Sequence, residues 1–170
     1  MCAAYFVKNI TSQCPGGSEA SAGIRRALIL MNDRLQVIDS EDGFTLQQVC
    51  ELLDGKIVCG EEWADQKVAS ACGCDLMSDV LAFTRSGSVL LTGLTNSQVV
   101  RTAEMLDLKA VVFVRSKRPD ENTISMAKSL QLVLICSPHP LYESCGRLYA
   151  AGLSGCNGSS RSVEAKTAEV

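Results

Sequence analysis

The sequence predicts an α/β domain over residues 44–153, built on a mostly parallel sheet, three-layered or doubly wound, with helices on both faces. Two observations predict it. Short apolar runs alternate with amphipathic segments about ten residues long, the pattern of strand–crossover–strand units. One run, residues 110–114, is apolar throughout and rich in valine, as a strand covered on both faces must be. Right-handed crossovers then distribute the helices over the two faces of one sheet.

The elements are expected in the following order. Residues 1–43 read as a weakly organised extension, because Cys14-Pro15-Gly16-Gly17-Ser18 and Ser21-Ala22-Gly23 are turn or linker chemistry. Met31 either introduces a short strand at 35–38 or marks an alternative start of translation. A helix is expected at 45–53, with Leu46, Val49, Cys50 and Leu53 forming one apolar stripe. Thr45 and Gln48 match a capping box, Phe44 and Val49 a hydrophobic staple, and Asp54-Gly55 ends the helix. Strands follow at 56–59 and 67–71. A helix at 75–83 directs Leu76, Val80 and Phe83 to one side.

From residue 88 the unit of strand, loop and helix repeats. Strands are expected at 88–91, 110–114 and 132–136. Helices are expected at 95–106, 120–130 and 141–151. The first of these helices turns Val99, Ala103 and Leu106 inward and starts on a second capping box, Thr95 with Gln98. Residues 154–170 carry Ser and Gly without apolar periodicity and are expected to form a disordered tail.

Bulk properties narrow the function classes. A chain of 170 residues suits one domain with a real core. Lys and Arg number 16 against 19 Asp and Glu, a net charge of −3 that argues against a nucleic-acid partner. No apolar run is long enough to cross a bilayer and no cleavable leader follows Arg25-Arg26, so no membrane role and a cytoplasmic location are expected. The nine cysteines, an odd number, suit free thiols better than a disulfide framework. Cys50, Cys59 and Cys136 sit in apolar stretches as small hydrophobes. Cys72-Gly73-Cys74 lacks the two-residue gap of zinc and dithiol sites, so neither metal nor cofactor is expected.

Chemistry is expected where strands of an open parallel sheet end. Three loops leave such ends. The first offers Thr92, Gly93, Thr95 and Asn96: a close backbone approach and two hydroxyls. The second offers the cations Arg115, Lys117 and Arg118. The third, Ser137-Pro138-His139-Pro140, holds the one histidine of the chain. Each precedes a helix, whose free N–H groups favour a phosphate or carboxylate. The same residues also read as ordinary turns, caps and solvated surface. Asp75 and Asp79, one helical turn apart, read as N-terminal charges that favour a helix dipole. No Walker A, G-x-G-x-x-G or G-x-S-x-G sequence is present.

Several segments resemble the DRTGG domain family. They are Phe44-Thr45-Leu46, Leu52-Leu53-Asp54-Gly55, and the stretches from Asp75 to Ala82, from Leu91 to Glu104, from Ala110 to Pro119 and from Tyr142 to Tyr149. The motif that names the family is absent as such. The loop from Thr92 to Gln98 stands in the corresponding place, and no motif residue is carried over. The resemblance implies an α/β accessory domain, of the kind found beside CBS modules in pyrophosphatases regulated by adenine nucleotides. It also implies stand-alone members encoded near anaerobic iron-only hydrogenases.

The expected function is therefore a non-catalytic regulatory module that binds a small anionic, phosphate-containing ligand, an adenine nucleotide being one candidate. An accessory interaction subunit of a redox or hydrogenase complex is the alternative, and a hydrolase or phosphotransfer enzyme comes last. A homodimer is expected from the family's dimeric assemblies and from the stripe Tyr142, Cys145, Leu148 and Tyr149.

Overall fold

A computed structural model describes residues 43–156 in full. Before them it describes the backbone of three strands, β1 (Lys8–Asn9), β2 (Arg26–Met31) and β3 (Arg34–Asp39). These form an antiparallel sheet of their own, with β2 and β3 in register from Arg26 opposite Asp39 to Met31 opposite Arg34. The strand expected at 35–38 lies within β3.

The remaining elements in chain order are β4 (Phe44–Thr45), α1 (Leu46–Leu52), β5 (Lys56–Cys59), β6 (Lys67–Val68), β7 (Ser70–Gly73), α2 (Met77–Phe83), β8 (Val89–Thr92), α3 (Ser97–Met105), β9 (Ala110–Phe113), α4 (Glu121–Ser129), β10 (Val133–Cys136), α5 (Leu141–Ala151) and β11 (Ser154–Gly155). Six strands make the main sheet in the order β11-β7-β8-β9-β10-β5. All neighbours are parallel except β5, which runs antiparallel along β10. This is the α/β architecture that the alternation of apolar runs predicts.

The two sides of the sheet bury separate cores. Leu91, Val112, Val133 and Ile135 face α1 and α5, with Val49, Leu53 and Leu148 packed on them. Leu90, Val111, Phe113 and Leu134 face the other way, onto Val80 of α2, Val99 and Ala103 of α3 and Ala127 of α4. The strands β8 and β9 are buried along their whole length, as their apolar runs require. Going from β7 to β10 the chain moves in one direction, so its right-handed crossovers α2, α3 and α4 share a face. The return from β10 to β11 reverses direction and puts α5 on the opposite face.

Local signals at α1 hold in detail. Thr45 caps the helix by accepting the Gln48 N–H at 3.1 Å, and Gln48 Oε1 accepts the Thr45 N–H at 2.9 Å. Phe44 and Val49, the staple pair, are both buried in one core. The second capping box does not form. The N-cap position falls one residue later, at Asn96 rather than Thr95, with no side-chain cap bond, and the helix itself starts at Ser97.

Other expectations shift. The strand expected at 67–71 divides: β6 pairs antiparallel with β4 in a two-stranded ribbon, while β7 starts afresh and enters the main sheet. In α2 the buried residues are Met77 and Val80, whereas Leu76 and Phe83 are 57% and 61% exposed. A two-turn helix carries too few residues for periodicity to fix its rotation, and packing against α3 decides it. Leu106 is only partly buried, and so is Cys136. The chain does not leave the domain at Ser154: Ser154–Gly155 add a parallel edge strand to β7, and Cys156 is buried. Residues 157–170 of the expected tail lie outside the described residues.

Candidate functional site

The strands β7, β8, β9 and β10 all end on one edge of the sheet. After β8 the chain runs through Gly93, where the backbone comes so close to its neighbours that a Cβ would meet the Arg115 guanidinium and the Asp75 carboxylate. Asp75, just beyond β7, accepts the Gly93 N–H at 2.6 Å and the Thr92 hydroxyl at 2.8 Å. Lys117 Nζ donates to the Gly93 carbonyl. The Gly93 N–H bond chiefly holds the Asp75 carboxyl below its ordinary range, helped by the Thr92 hydroxyl and the charges of Arg115 and Lys117 against a partial desolvation.

The loop after β9 is a tight turn. Arg115 and Ser116 both have left-handed φ, 61° and 53°, and the Lys117 N–H closes the turn on the Val114 carbonyl at 3.3 Å. Two consecutive non-glycine residues in this region are strained, and neighbouring structure must hold them there. The third loop does so. The Arg115 N–H donates to the His139 carbonyl and the Ser116 N–H to the Ser137 carbonyl, both at 2.8 Å. The crossovers leaving β9 and β10 go to opposite faces, so a ligand crevice is expected between their ends. Here these backbone bonds draw the two loops together.

The third loop turns its side chains away from the first two. The Ser137 hydroxyl is buried and donates to the Leu53 carbonyl at 2.9 Å. His139 places Nε2 3.0 Å from Asp54 Oδ2 and Nδ1 3.2 Å from Glu143 Oε1. Arg147 joins the same two carboxylates, at 2.9 Å from Asp54 and 3.0 Å from Glu143. These four side chains cross-link the end of α1, the loop after β10 and the first turns of α5.

The structure thus gathers Thr92, Gly93, Arg115 and Lys117 around one carboxylate. It joins Ser137 and His139 to them through backbone, with their side chains elsewhere. Asn96 is exposed at the start of α3, Thr95 is half-buried one residue earlier, and the Arg118 charge acts on the Cys136 thiol. Asp75 is the participant whose role the sequence reading missed. It does not cap α2: its carboxylate reaches sideways to the β8 loop. Its place after β7 was obscured because Ser70-Ala71-Cys72-Gly73 has little strand character.

A second feature lies along α5. An apolar groove of about 720 Å³ runs between this helix and the sheet edge, lined by Gly73, Leu91, Cys145, Leu148, Leu153 and Gly155 among others. Tyr142 and Tyr149, two helical turns apart, stand 92% and 74% exposed beside it. Of the stripe expected for a dimer, Leu148 is buried and Cys145 half-buried against the sheet, which leaves the two tyrosines outward. Among the described residues no group of three or more His, Cys, Asp and Glu side chains is placed to hold a metal ion, and no helix is long and apolar enough to cross a membrane.

No family model and no curated protein matches the chain. Among solved structures it is similar to the CBS and DRTGG domains of the regulatory region of a Clostridium perfringens pyrophosphatase, complexed with the activator diadenosine tetraphosphate. The TM-score is 0.52 at 17% identity, over 65% of this chain and 47% of that one. This chain therefore spans about half the length of that structure. The likeness is one of fold, and it gives the domain a DRTGG-like architecture.

Proposed function

We propose that the domain is a non-catalytic regulatory module that binds a small phosphate-containing anion at the C-terminal edge of its sheet. One observation carries the reading: the Gly93 N–H and the Thr92 hydroxyl bond one carboxylate and the charges of Arg115 and Lys117 act on it, so the edge is already shaped and charged for an anion. Asp75 occupies that place as an internal anion, and a ligand phosphate would take over its donors. The strained Arg115-Ser116 turn supports the reading, since strain of this kind gathers at ligand sites. The regulatory pyrophosphatase region of similar fold was solved with a nucleotide activator, which makes an adenine nucleotide a ligand to test here.

Catalysis is disfavoured by the same geometry. The Ser137 hydroxyl is spent on a backbone carbonyl, and both ring nitrogens of His139 face carboxylates, so the pair does not form a nucleophile and its base. Titration calorimetry with pyrophosphate and a panel of adenine nucleotides tests the proposal. Lys117→Glu should weaken binding by roughly tenfold or more, since a charge-assisted hydrogen bond contributes about 1.5–3 kcal/mol. The substitution removes one bond at an exposed side chain, so folding should change by no more than about 1 kcal/mol. Equal affinity in both proteins places the ligand elsewhere.

The groove beside α5 favours a second reading, in which this face docks a second copy of the chain. Two exposed tyrosines on one helix face are the anchors that interfaces use. Light scattering at micromolar concentration decides it: a monomer mass removes the homodimer. Co-purification with a redox partner and no binding of any phosphate compound would favour an accessory interaction subunit.

A further inference from the structure

We propose that Cys72 and Cys156 form an oxidation-sensitive disulfide site that clasps the C-terminal strand to the sheet and fixes one wall of the groove beside α5. The register brings them together. Ser154 lies opposite Ser70 and Gly155 opposite Ala71 in a parallel pair, and the Cys156 N–H donates to the Ala71 carbonyl at 3.1 Å. The next position of that ladder sets Cys156 against Cys72. Parallel neighbours point to the same face, and adjacent strands lie about 4.8 Å apart. That separation falls within the window of about 4.4–6.8 Å between Cα atoms that a disulfide accepts.

Cys156 and the Thr84 hydroxyl both bear on the Cys72 thiol, as neighbours on the same side of the sheet edge. Both thiols are reduced, Cys156 buried and Cys72 half-buried. Cys74 points the same way two residues further on and serves as the internal control. The strand that would be clasped is short. It has two residues, sits at the sheet edge and contributes Ser154 and Gly155 to the groove lining. A cross-link from 72 to 156 encloses β8, β9, β10 and α5, so it restrains a long stretch of the unfolded chain.

With a peroxide as oxidant the step balances. One thiol takes an oxygen from the peroxide, becoming a sulfenic acid as the O–O bond breaks and a water leaves. The second sulfur attacks the first, the S–O bond breaks, and the hydroxyl leaves as a second water with the second thiol proton. Two thiols are oxidised to one disulfide and one peroxide is reduced to two waters. Burial pushes the Cys72 thiol up to about 11, so Cys72 stays protonated at neutral pH. The clasp therefore responds to sustained oxidant, since thiolate is the reacting form.

The test uses the full chain. Reduced protein is exposed to hydrogen peroxide at pH 8, blocked with N-ethylmaleimide and digested with trypsin. Peptide 68–85 carries Cys72 and Cys74, and peptide 148–161 carries Cys156. The expected product is these two peptides joined, in wild type and in Cys74→Ser, and absent in Cys72→Ser and Cys156→Ser. Cys156→Ala gives the same answer should the serine fold poorly. In the linked form the Cys156 amide should exchange roughly tenfold more slowly, reversed by dithiothreitol. The link persisting in Cys72→Ser overturns the assignment, as does oxidation of other thiols while the two peptides stay apart. Linked protein with unchanged exchange at Cys156 overturns the clasp.

Discussion

Replacing Asp75 by asparagine removes the charge from the centre of the candidate site and leaves its shape. The carboxylate accepts two bonds, from the Gly93 N–H at 2.6 Å and the Thr92 hydroxyl at 2.8 Å. Bonds to a charged acceptor contribute about 1.5–3 kcal/mol each when buried. Asp75 is exposed, and solvent screening lowers the pair to about 1–2 kcal/mol. Asparagine keeps an acceptor oxygen, so the expected loss is about 1 kcal/mol, or roughly 3–6 °C in melting midpoint.

The proposed phosphate ligand should respond in the opposite direction. A carboxylate about 5 Å from a phosphate carrying one to two charges repels it by about 1–2 kcal/mol in a water-like dielectric. Its removal should tighten pyrophosphate binding roughly 5–30-fold.

The sign with pH follows from the lowered carboxyl. Asp75 in the folded chain titrates below its unfolded value of about 3.9, so its contribution is present above about pH 4. That contribution disappears as pH falls through the lower, folded value. The stability gap between wild type and Asp75→Asn should therefore close on acidification. Denaturant titrations at pH 7 and pH 3, with calorimetry against pyrophosphate, measure all three effects. A gap that does not narrow at all between pH 7 and pH 3, or pyrophosphate affinity unchanged or lower in the variant, refutes the reasoning.

Thr45→Ala removes the α1 cap and should cost about 1 kcal/mol, read by chemical denaturation. Gly73→Ala would drive a methyl group into Cys145 Sγ and the Leu141 side chain, so α5 must shift. A loss of about 1–3 kcal/mol is expected, with altered near-UV signal from the α5 tyrosines. Ser116→Gly relieves a left-handed residue and should raise stability by about 0.5–1 kcal/mol in thermal melts, provided the turn bonds are kept. Tyr149→Glu should leave folding unchanged within about 0.5 kcal/mol and, if the α5 face joins two copies, lower the mass seen by light scattering to that of a monomer.

The architecture was legible because it rests on local pattern. Residues 110–113 and 132–135 are valine, leucine, isoleucine, alanine and phenylalanine without a break, and only a strand buried on both faces uses such a run. The spacing of Leu46, Val49 and Leu53 fixed the buried face of α1, and the Thr45–Gln48 pair fixed its start. The three loops at the sheet edge were legible for the same reason: parallel order carries strand ends to one side regardless of side-chain detail.

The placement of individual side chains was not legible, because it depends on partners far away in the chain. Asp75 meets Gly93 across 18 positions, His139 meets Asp54 across 85, and Cys156 reaches β7 only after the chain has crossed the whole sheet. Nothing at positions 73 to 75 indicates that the carboxylate will turn to the next loop rather than to its own helix. The exposed Leu76 and Phe83 have the same cause, since two turns of helix cannot resist rotation imposed by a neighbouring element. Periodicity and capping are energies between residues a few positions apart, and the sequence by itself determined what they govern: the elements, their order and the edge where they end. Packing and hydrogen bonding at long range decided which donors face the Asp75 carboxylate, which strand closes the edge and which helix face stays open.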